Sequence, residues 1–265
     1  MDKEVPFRIV QISDIHLFAE REKALLGIKT HDSFEAALDL LKTDKKPDLI
    51  LLSGDLSQDG SKASYVHIAD RMKTFDVPIY YVAGNHDDPN MLNTVYPLEN
   101  ITHHRHIVLK NWHLILLNSQ KPGAVEGFLD NAQLQFLQHC LQMYPEHYGI
   151  VVFHHQPIPV GSAWLDNLGL TNANDLWSVL KYFSKMHTIL FGHVHQEHQG
   201  KKNGIQYFSA PSTCIQFKPE SKDFALDKLP PGYRWVDLYS DGRLETGVRR
   251  AAEYVGDFEV NAKGY

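Results

Sequence analysis

Five short polar motifs, each following an apolar run rich in β-branched residues, constrain this chain more than any other feature. The motifs are Asp14 and His16, Gly54-Asp55, Gly84-Asn85-His86-Asp87, His154-His155, and Gly192-His193-Val194-His195. Short apolar runs that end in such residues are typical of buried strands. Because the carboxyl ends of parallel strands gather at one edge of a sheet, polar groups far apart in sequence can meet there. The pattern therefore predicts a single polar cluster.

The segments around the motifs alternate between strand and helix patterns. Apolar runs predict strands at Phe7–Ile12, Leu49–Leu52, Ile79–Val82, Leu114–Leu117, Ile150–Phe153, Ile189–Phe191, Gln206–Ser209 and Arg234–Tyr239, and a turn at Asp241-Gly242 leads into a further strand. Helical spacing predicts helices at Ser33–Leu41, Ser61–Phe75, Asp130–Met143, with Asp130 as N-cap, and Asp175–Phe183. The strand–helix–strand order implies right-handed crossovers and parallel pairing. We expect one α/β domain over residues 1–265.

Composition and charge argue against several classes of protein. The net charge is −6 and the basic residues are dispersed, so an extended nucleic-acid-binding face is not expected. The sequence contains neither an apolar run of about 18 residues nor a signal-like N-terminus, which argues against a membrane protein or an exported one. Cys140 and Cys214 lie far apart, which fits a reducing compartment. We therefore expect a soluble, cytoplasmic protein whose partner is a small molecule.

The motifs differ in how strongly each one indicates a metal site. Asp14 and His16 are two residues apart, so both side chains can face one ion, but a turn-capping Asp and an ordinary buried His explain them equally well. A lone Gly-Asp after a strand is more typical of a turn. The run Gly84-Asn85-His86-Asp87 is much less common as a turn. Together the motifs offer carboxylate, amide and imidazole ligands, which suit iron, manganese or zinc.

The motifs, in their order, resemble the calcineurin-like metallophosphoesterases, whose pattern is D-x-H, G-D, G-N-H-[DE], a strand-end His and G-H-x-H. The segments His154–Pro159, Ser162–Asp166 and Pro211–Pro219 narrow the resemblance to the class III cyclic nucleotide phosphodiesterases. The resemblance implies a two-sheet β-sandwich flanked by helices. It also implies hydrolysis of 3′,5′-cyclic AMP to 5′-AMP at a dinuclear metal centre with a bridging hydroxide nucleophile.

The resemblance also implies a role for each site residue. Asp14, His16 and His195 would hold the first of two divalent ions, Asn85, His154 and His193 the second, and Asp55 would bridge them. His154 is preferred to His155 because it is the first polar residue after its strand, which is the usual ligand position in the family, and His155 stays the alternative ligand. The residues expected to bind substrate are His16, Asp55, Asn85, His86 and His195.

His86 is the candidate catalytic acid for the departing oxygen, although packing behind Asn85 would also explain it. Asp87 is a candidate acceptor that orients the rings of the metal site. Trp164 and Phe217 could contact an adenine, or equally could be hydrophobic lids or core residues. Two alternatives to the main hypothesis remain: a phosphodiesterase acting on 2′,3′-cyclic nucleotides, glycerophosphodiesters or nucleotide-sugar-like pyrophosphates, and a non-catalytic interaction module with the same fold.

Overall fold

The structure is a computed structural model that describes residues 5–259 and 261–264. Its strands are β1 (Phe7–Ile12), β2 (Ala24–Leu25), β3 (Ile28–Lys29), β4 (Leu49–Ser53), β5 (Ile79–Val82), β6 (Ile101–Thr102), β7 (His106–Leu109), β8 (Trp112–Leu116), β9 (Tyr148–Val152), β10 (Met186–Phe191), β11 (Gln199–Lys202), β12 (Ile205–Ser209), β13 (Gln216–Phe217), β14 (Leu226–Asp227), β15 (Gly232–Leu238) and β16 (Leu244–Arg250). Its helices are α1 (Thr30–Thr43), α2 (Lys62–Met72), α3 (Pro89–Val95), α4 (Asn131–Met143), α5 (Ala163–Asp166) and α6 (Ala173–Leu180), with a 3₁₀ turn at Lys73–Phe75.

Two six-stranded sheets form the framework. The first has the order β16-β15-β1-β4-β5-β6 and the second the order β11-β12-β10-β9-β8-β7. The strands that precede the motifs pair in parallel in both sheets, β1 with β4 and β4 with β5 in the first, and β9 with β10 in the second. Antiparallel strands flank these parallel strands, including the hairpin β15–β16 that turns at Asp241-Gly242. The motifs therefore leave their sheets at the carboxyl ends of parallel strands, as the sequence predicts.

Neighbouring residues of β1 show why the apolar runs are continuous. Ile9 packs in the core between the two sheets, together with Leu114 and Ile150 of the second sheet. Val10 points to the opposite face, where it joins a core built with α1 and α2. A third core lies between the outer face of the second sheet and helices α4 and α6. Because the motif-bearing strands are buried on both faces of their sheets, apolar residues do not alternate with polar ones along these strands. The predicted two-sheet sandwich flanked by helices is confirmed.

Most predicted elements agree with the structure to within a few residues. Ser61 caps α2 by accepting a hydrogen bond from the Ser64 amide, and Asp130 caps α4 by accepting one from the Gln133 amide at 2.8 Å. The last predicted helix, Asp175–Phe183, begins earlier and ends at Leu180. The helix starts earlier than predicted because the Asn172 side chain is hydrogen-bonded to the backbone amide and carbonyl of Leu129, which fixes the chain just before the helix. The short elements β2, β3, β6, β7, β11, β13, β14, α3 and α5 were not predicted.

Gln11 links the two sheets just beneath the motifs. Its side-chain amide donates hydrogen bonds to Ser53 Oγ on β4 and to the Phe191 carbonyl oxygen on β10, each at 2.9 Å. Ser53 and Phe191 are the residues that precede Gly54-Asp55 and Gly192-His193. A single fully buried amide therefore sets the spacing between one motif of the first sheet and one motif of the second.

The sequence predicts that residues 1–265 form a single domain and that the chain is not a membrane protein. The single domain stays a prediction, and residues 1–4, 260 and 265 lie outside the described range. Among the residues that the structure describes, no helix has the length and apolar character needed to span a lipid bilayer.

Replacing Asp130 with Ala should lower the free energy of unfolding by about 1 kcal/mol, because the Gln133 amide loses its acceptor at the start of α4. Chemical denaturation monitored by circular dichroism measures this change. Gln138→Ala, on the exposed face of the same helix, is the matched control and should leave stability unchanged or slightly raised. An equal loss in both variants would show that the cap contributes nothing specific.

Candidate metal centre

The five motifs meet in one buried cluster between the ends of the two sheets. His16 Nε2 lies 3.1 Å from His195 Nε2, and His195 Nε2 lies 3.4 Å from Asp14 Oδ1. His154 Nε2 lies 3.2 Å from Asp55 Oδ2. Asp14, His16, His154 and His195 are completely inaccessible to solvent. The cluster predicted from the strand ends is confirmed.

The donor atoms fall into adjoining groups, each small enough to surround one ion. In each group the candidate ligand atoms lie within 4.8 Å of one another, and two of the groups are Asp14, His16 and His195, and His154, His155 and His193. Asp55 belongs to two further groups, one with His16 and His86 and one with Asp14 and His154. The Asp55 carboxylate therefore lies where the neighbouring groups join.

The hydrogen bonds of two rings show which of their nitrogens faces the cluster with its binding capacity left over. His154 Nδ1 lies 2.8 Å from the Ser53 carbonyl oxygen, and His195 Nδ1 lies 2.8 Å from the Ile215 carbonyl oxygen. A carbonyl oxygen only accepts, so each Nδ1 carries a hydrogen, and each Nε2 is left to bind a proton or a metal ion. The Nε2 of His154 faces Asp55 Oδ2 and that of His195 faces His16 Nε2.

Two buried atoms of the cluster, Asn85 Oδ1 and His193 Nε2, make no hydrogen bond, and His154 Nε2 has only the Asp55 carboxylate beside it, at 3.2 Å. Buried polar atoms almost always have a hydrogen-bond partner, so such atoms gathered in one cluster indicate a missing ligand. One amide oxygen and two imidazole nitrogens are suitable ligands for a borderline divalent ion. The described residues therefore fit a metal ion at this position on their own chemistry.

The charges of the cluster also favour a cation. Burial by itself would raise the pKa of Asp55, but His154 and other imidazoles hold it well below its usual range, so the carboxylate is ionised. Burial lowers the pKa of His16 to about 3, so this ring is neutral. Burial also opposes protonation of His154, yet the Asp55 carboxylate raises its pKa to about 9. The space between His154 and Asp55 therefore binds a positive charge, either a proton or a metal ion.

The backbone is strained at most of the predicted ligands. Positive φ angles, uncommon for residues other than glycine, occur at Asp14 (52°), His16 (49°), Asp55 (50°), His193 (67°) and His195 (47°). Such conformations persist only where the surrounding structure enforces them, and they concentrate at functional sites. Here the loops hold one another: the Asp14 amide donates to the Gly54 carbonyl oxygen, and the His193 amide donates to Asp14 Oδ1, both at 3.0 Å.

Two motif glycines are required by close packing. A side chain at Gly84 would collide with the backbone and carboxylate of Asp55, and one at Gly192 would collide with Ser13 and Asp14. Each glycine therefore lets a loop of one strand touch the carboxylate loop of another strand.

His155 differs from His154 in its contacts. Its Nδ1 lies 2.8 Å from Ser119 Oγ and its Nε2 lies 3.0 Å from the Val125 carbonyl oxygen. Both ring nitrogens are thus occupied by the loop that carries these residues. His154 has only its Nδ1 occupied by a backbone oxygen, and its Nε2 faces the cluster.

The expected role of Asp87 as an acceptor for ring nitrogens is wrong. Its carboxylate accepts hydrogen bonds from the amides of Gly84, Leu56 and Ser57 and from the Tyr65 hydroxyl. It lies behind the cluster, so it joins two loops instead of touching a ring. The rings are oriented by the carbonyl oxygens of Ser53 and Ile215 and by Gln58 Oε1, which lies 2.6 Å from His16 Nδ1. Gln58 lies three residues after the second motif, and this position is the only feature of the sequence that could have indicated its role in orienting His16.

A cavity of about 720 Å³ opens onto the cluster. Its lining includes Asn85, His86 and His193 of the cluster, and the aromatic residues Trp164, Phe217 and Phe224. This volume is in the range of small-molecule sites. The His86 amide donates to Asp55 Oδ1 at 2.8 Å, and the His86 ring packs 4.9 Å from that of His16. His86 therefore lies between the buried cluster and the cavity.

The two aromatic residues singled out from the sequence have different surroundings. Phe217 is 2% exposed, and its ring stacks on His195 at 4.2 Å with an angle of 13° between the planes. Its main contact is thus packing against a predicted ligand. Trp164 lies further out, 4.9 Å from the Phe217 ring, and forms part of the cavity wall. Of the two, Trp164 is the better placed to touch a bound molecule.

A two-sheet sandwich with a buried carboxylate, amide and imidazole cluster at its strand ends defines a metal-dependent hydrolase. Comparison with known proteins gives the family. The model of the calcineurin-like phosphoesterases matches residues 7–197. The chain therefore belongs to the calcineurin-like phosphoesterases, as its motifs indicate.

Relatives in the family match nearly the whole chain. The chain is 39% identical over 263 residues to the 3′,5′-cyclic adenosine monophosphate phosphodiesterase CpdA of Pseudomonas aeruginosa, covering 97% of this chain and 94% of that protein. It is 38% identical over 264 residues to CpdA of Escherichia coli K12, covering 99% and 96%. Among solved structures, a dimetal phosphatase from Danio rerio matches with a TM-score of 0.69 and 15% identity, covering 95% of this chain and 98% of that one. The structural match shows the shared fold.

Tyr65→Phe should lower the free energy of unfolding by about 1–3 kcal/mol, because the buried hydroxyl donates to Asp87 and accepts from the Asp88 amide. Urea denaturation measures this loss. Tyr182→Phe removes a hydroxyl from a side chain that is 76% exposed, and it should have almost no effect. If Tyr65→Phe were as stable as the control, the link between Tyr65 and Asp87 would not support the loop.

Proposed function

We propose that this protein hydrolyses 3′,5′-cyclic AMP to 5′-AMP at a dinuclear metal centre. The observation that carries the chemistry is the set of buried candidate ligand atoms beside two buried carboxylates: Asn85 Oδ1 and His193 Nε2 have no hydrogen-bond partner, and His154 Nε2 has only the Asp55 carboxylate. The substrate is supported by the relatives named as 3′,5′-cyclic adenosine monophosphate phosphodiesterases, which align over almost the entire chain. The cavity of about 720 Å³ above the cluster has room for a small molecule.

We assign the metal ligands from the grouping of donor atoms. Asp14, His16 and His195 would hold one divalent ion, Asn85, His154 and His193 the other, and Asp55 lies between the groups as the shared ligand. His155 is left out because both of its ring nitrogens already contact the protein. The mixed nitrogen and oxygen ligands suit iron or manganese best, and zinc also fits. When bound, such ions neutralise phosphoryl oxygens and activate water as a nucleophile.

His86 is the proposed catalytic acid. Its ring lies beside His16 at the side of the cavity, so it can reach a phosphodiester bound over the cluster. As the water oxygen bonds to phosphorus, the bond from phosphorus to the 3′ oxygen breaks, and His86 would donate a proton to that oxygen. His16, Asp55, Asn85, His86 and His195 would surround the phosphoryl group of the bound substrate.

The remaining parts of the proposal follow from the substrate. The partner is a small cyclic nucleotide, and the cytoplasm is the compartment in which we expect the protein to act. Most contacts made by the cluster would be to phosphate, so other phosphodiesters, such as 2′,3′-cyclic nucleotides, are the alternative substrates.

The proposal is tested by incubating protein loaded separately with iron, manganese or zinc with cyclic AMP and following 5′-AMP by chromatography. We expect 5′-AMP as the single nucleotide product and no turnover after removal of metal by a chelator. Brisk cleavage of another diester, with cyclic AMP untouched, would overturn the substrate but keep the chemistry. Purified protein that neither contains nor takes up transition metal would overturn the metal centre itself.

Asn85→Ala should lower the metal content from about two ions per chain towards one. The substitution removes the amide oxygen that is proposed to bind the second ion together with His154 and His193. Elemental analysis of protein dialysed against limiting metal measures this. Asn90→Ala, on an exposed position of α3, is the control. Full metal content in Asn85→Ala would contradict the assignment.

His86→Ala should lower kcat about 100- to 10,000-fold while the metal content stays unchanged, since the residue serves as a proton donor and not as a ligand. A substrate with an activated leaving group, such as a p-nitrophenyl ester, should lose less activity because its leaving oxygen needs no proton. His139→Ala, exposed on α4, provides the control. Full activity of His86→Ala on cyclic AMP would rule out the acid assignment.

A further inference from the structure

The chain after β16 runs back across the molecule to the cavity. We call residues 251–259 and 261–264 the C-terminal segment. It begins at Ala251, whose amide donates to the Pro231 carbonyl oxygen at 2.9 Å. Further along, the Glu259 amide donates to the Leu26 carbonyl oxygen at 3.0 Å, in the tight turn between β2 and β3. Backbone hydrogen bonds at two places therefore fix its course.

Apolar packing fixes the same segment. Tyr254 and Phe258 pack against the core that contains Leu25 and Ile28. A side chain at Gly27 would collide with the backbone of Asp257, and one at Gly256 would collide with Ile28. The turn between β2 and β3 and the segment therefore touch closely along their backbones, and this contact directs the last residues of the segment.

Those last residues line the cavity above the cluster. Lys263 and Gly264 lie on its surface, as do Asn85, His86 and His193. Among the lining residues that the structure describes, Lys263 is the one lysine or arginine and Asp223 the one carboxylate. The side chain of Lys263 is exposed, so its ammonium group can meet a molecule that enters the cavity.

The cavity is thus lined by two chemically different kinds of group. Those of the cluster would bind phosphate, which every phosphodiester carries. Trp164, Phe224 and Lys263, which line the same cavity, offer two aromatic rings and an ammonium group with three hydrogen-bond donors. A nucleobase has flat faces for the rings and ring nitrogens that accept hydrogen bonds. A small diester without a base has nothing to place there.

We propose that the C-terminal segment forms a wall of the substrate cavity and selects cyclic nucleotides over small phosphodiesters, with Lys263 donating hydrogen bonds to the nucleobase. This inference rests on the proposed function. Lys263 is a specificity-determining residue in this account, remote from the bond that breaks. Its loss should therefore change the binding of the nucleotide and leave the chemistry intact.

The test compares two substrates, cyclic AMP and glycerophosphoglycerol, a small phosphodiester that has no aromatic ring. For a chain ending at Ala262 and for Lys263→Met, we expect the KM for cyclic AMP to rise about 10-fold, as for the loss of about 1.4 kcal/mol of binding. We expect kcat, metal content and kcat/KM for the small diester to stay within about twofold of the parent protein. Lys263→Arg keeps hydrogen-bond donors and should restore most of the affinity. Lys45→Ala, exposed and following α1, is the matched control.

Each outcome decides the proposal. An unchanged KM for cyclic AMP in Lys263→Met and in the shortened chain would overturn it. A parallel loss on both substrates would also overturn it, because that result indicates a general structural role. If the shortened chain does not fold, Lys263→Met and Lys263→Arg still give the answer. The parent protein's turnover of cyclic AMP tests the proposed function separately, so the two failures are distinguishable.

Discussion

Two buried carboxylate charges determine much of this structure. Asp14 and Asp55 are at most 1% exposed and ionised, and buried charges are costly unless a partner of opposite charge neutralises them. Burial lowers the pKa of His16, His155 and His193, so these neighbouring rings are neutral and do not offset the two carboxylate charges. The protein therefore creates a region of concentrated negative potential whose natural partner is a divalent cation. The strained backbone, the close-packed glycines and the amide of Gln11 between the sheets all serve to hold this arrangement.

Much of the fold and cluster could be predicted because the relevant signals are local. A run such as Leu49–Leu52 followed by Gly54-Asp55 indicates a buried strand and the point where it ends. The carboxyl ends of parallel strands meet at one edge of their sheet. The partners that orient the rings could not be predicted, since the carbonyl oxygens of Ser53 and Ile215 have no side-chain signature. Asp87 was misjudged for the same reason: the groups that it binds are backbone amides. Phe217 both stacks on His195 and lines the cavity, and aromatic character alone could not indicate this double placement.

The framework and the cavity contribute differently to function. A fold shared at 15% identity with the Danio rerio dimetal phosphatase cannot by itself choose a substrate. The two sheets hold the loops that carry the proposed ligands, and these ligands would contact only the phosphate that every phosphodiester carries. Selection must come from the cavity walls, where Trp164 and the C-terminal segment lie. A long-range contact, between the turn after β2 and residues about 230 positions later, places that wall.

We propose above all that the cluster holds two metal ions, that Asp55 is a ligand of both, and that His155 is a ligand of neither. A crystal structure of the metal-loaded protein, with anomalous diffraction recorded at the absorption edge of the metal, tests it most directly. We predict two anomalous peaks, one among Asp14, His16 and His195 and one among Asn85, His154 and His193, each in contact with the Asp55 carboxylate. A single peak, or a peak bound to a ring nitrogen of His155, would contradict the account.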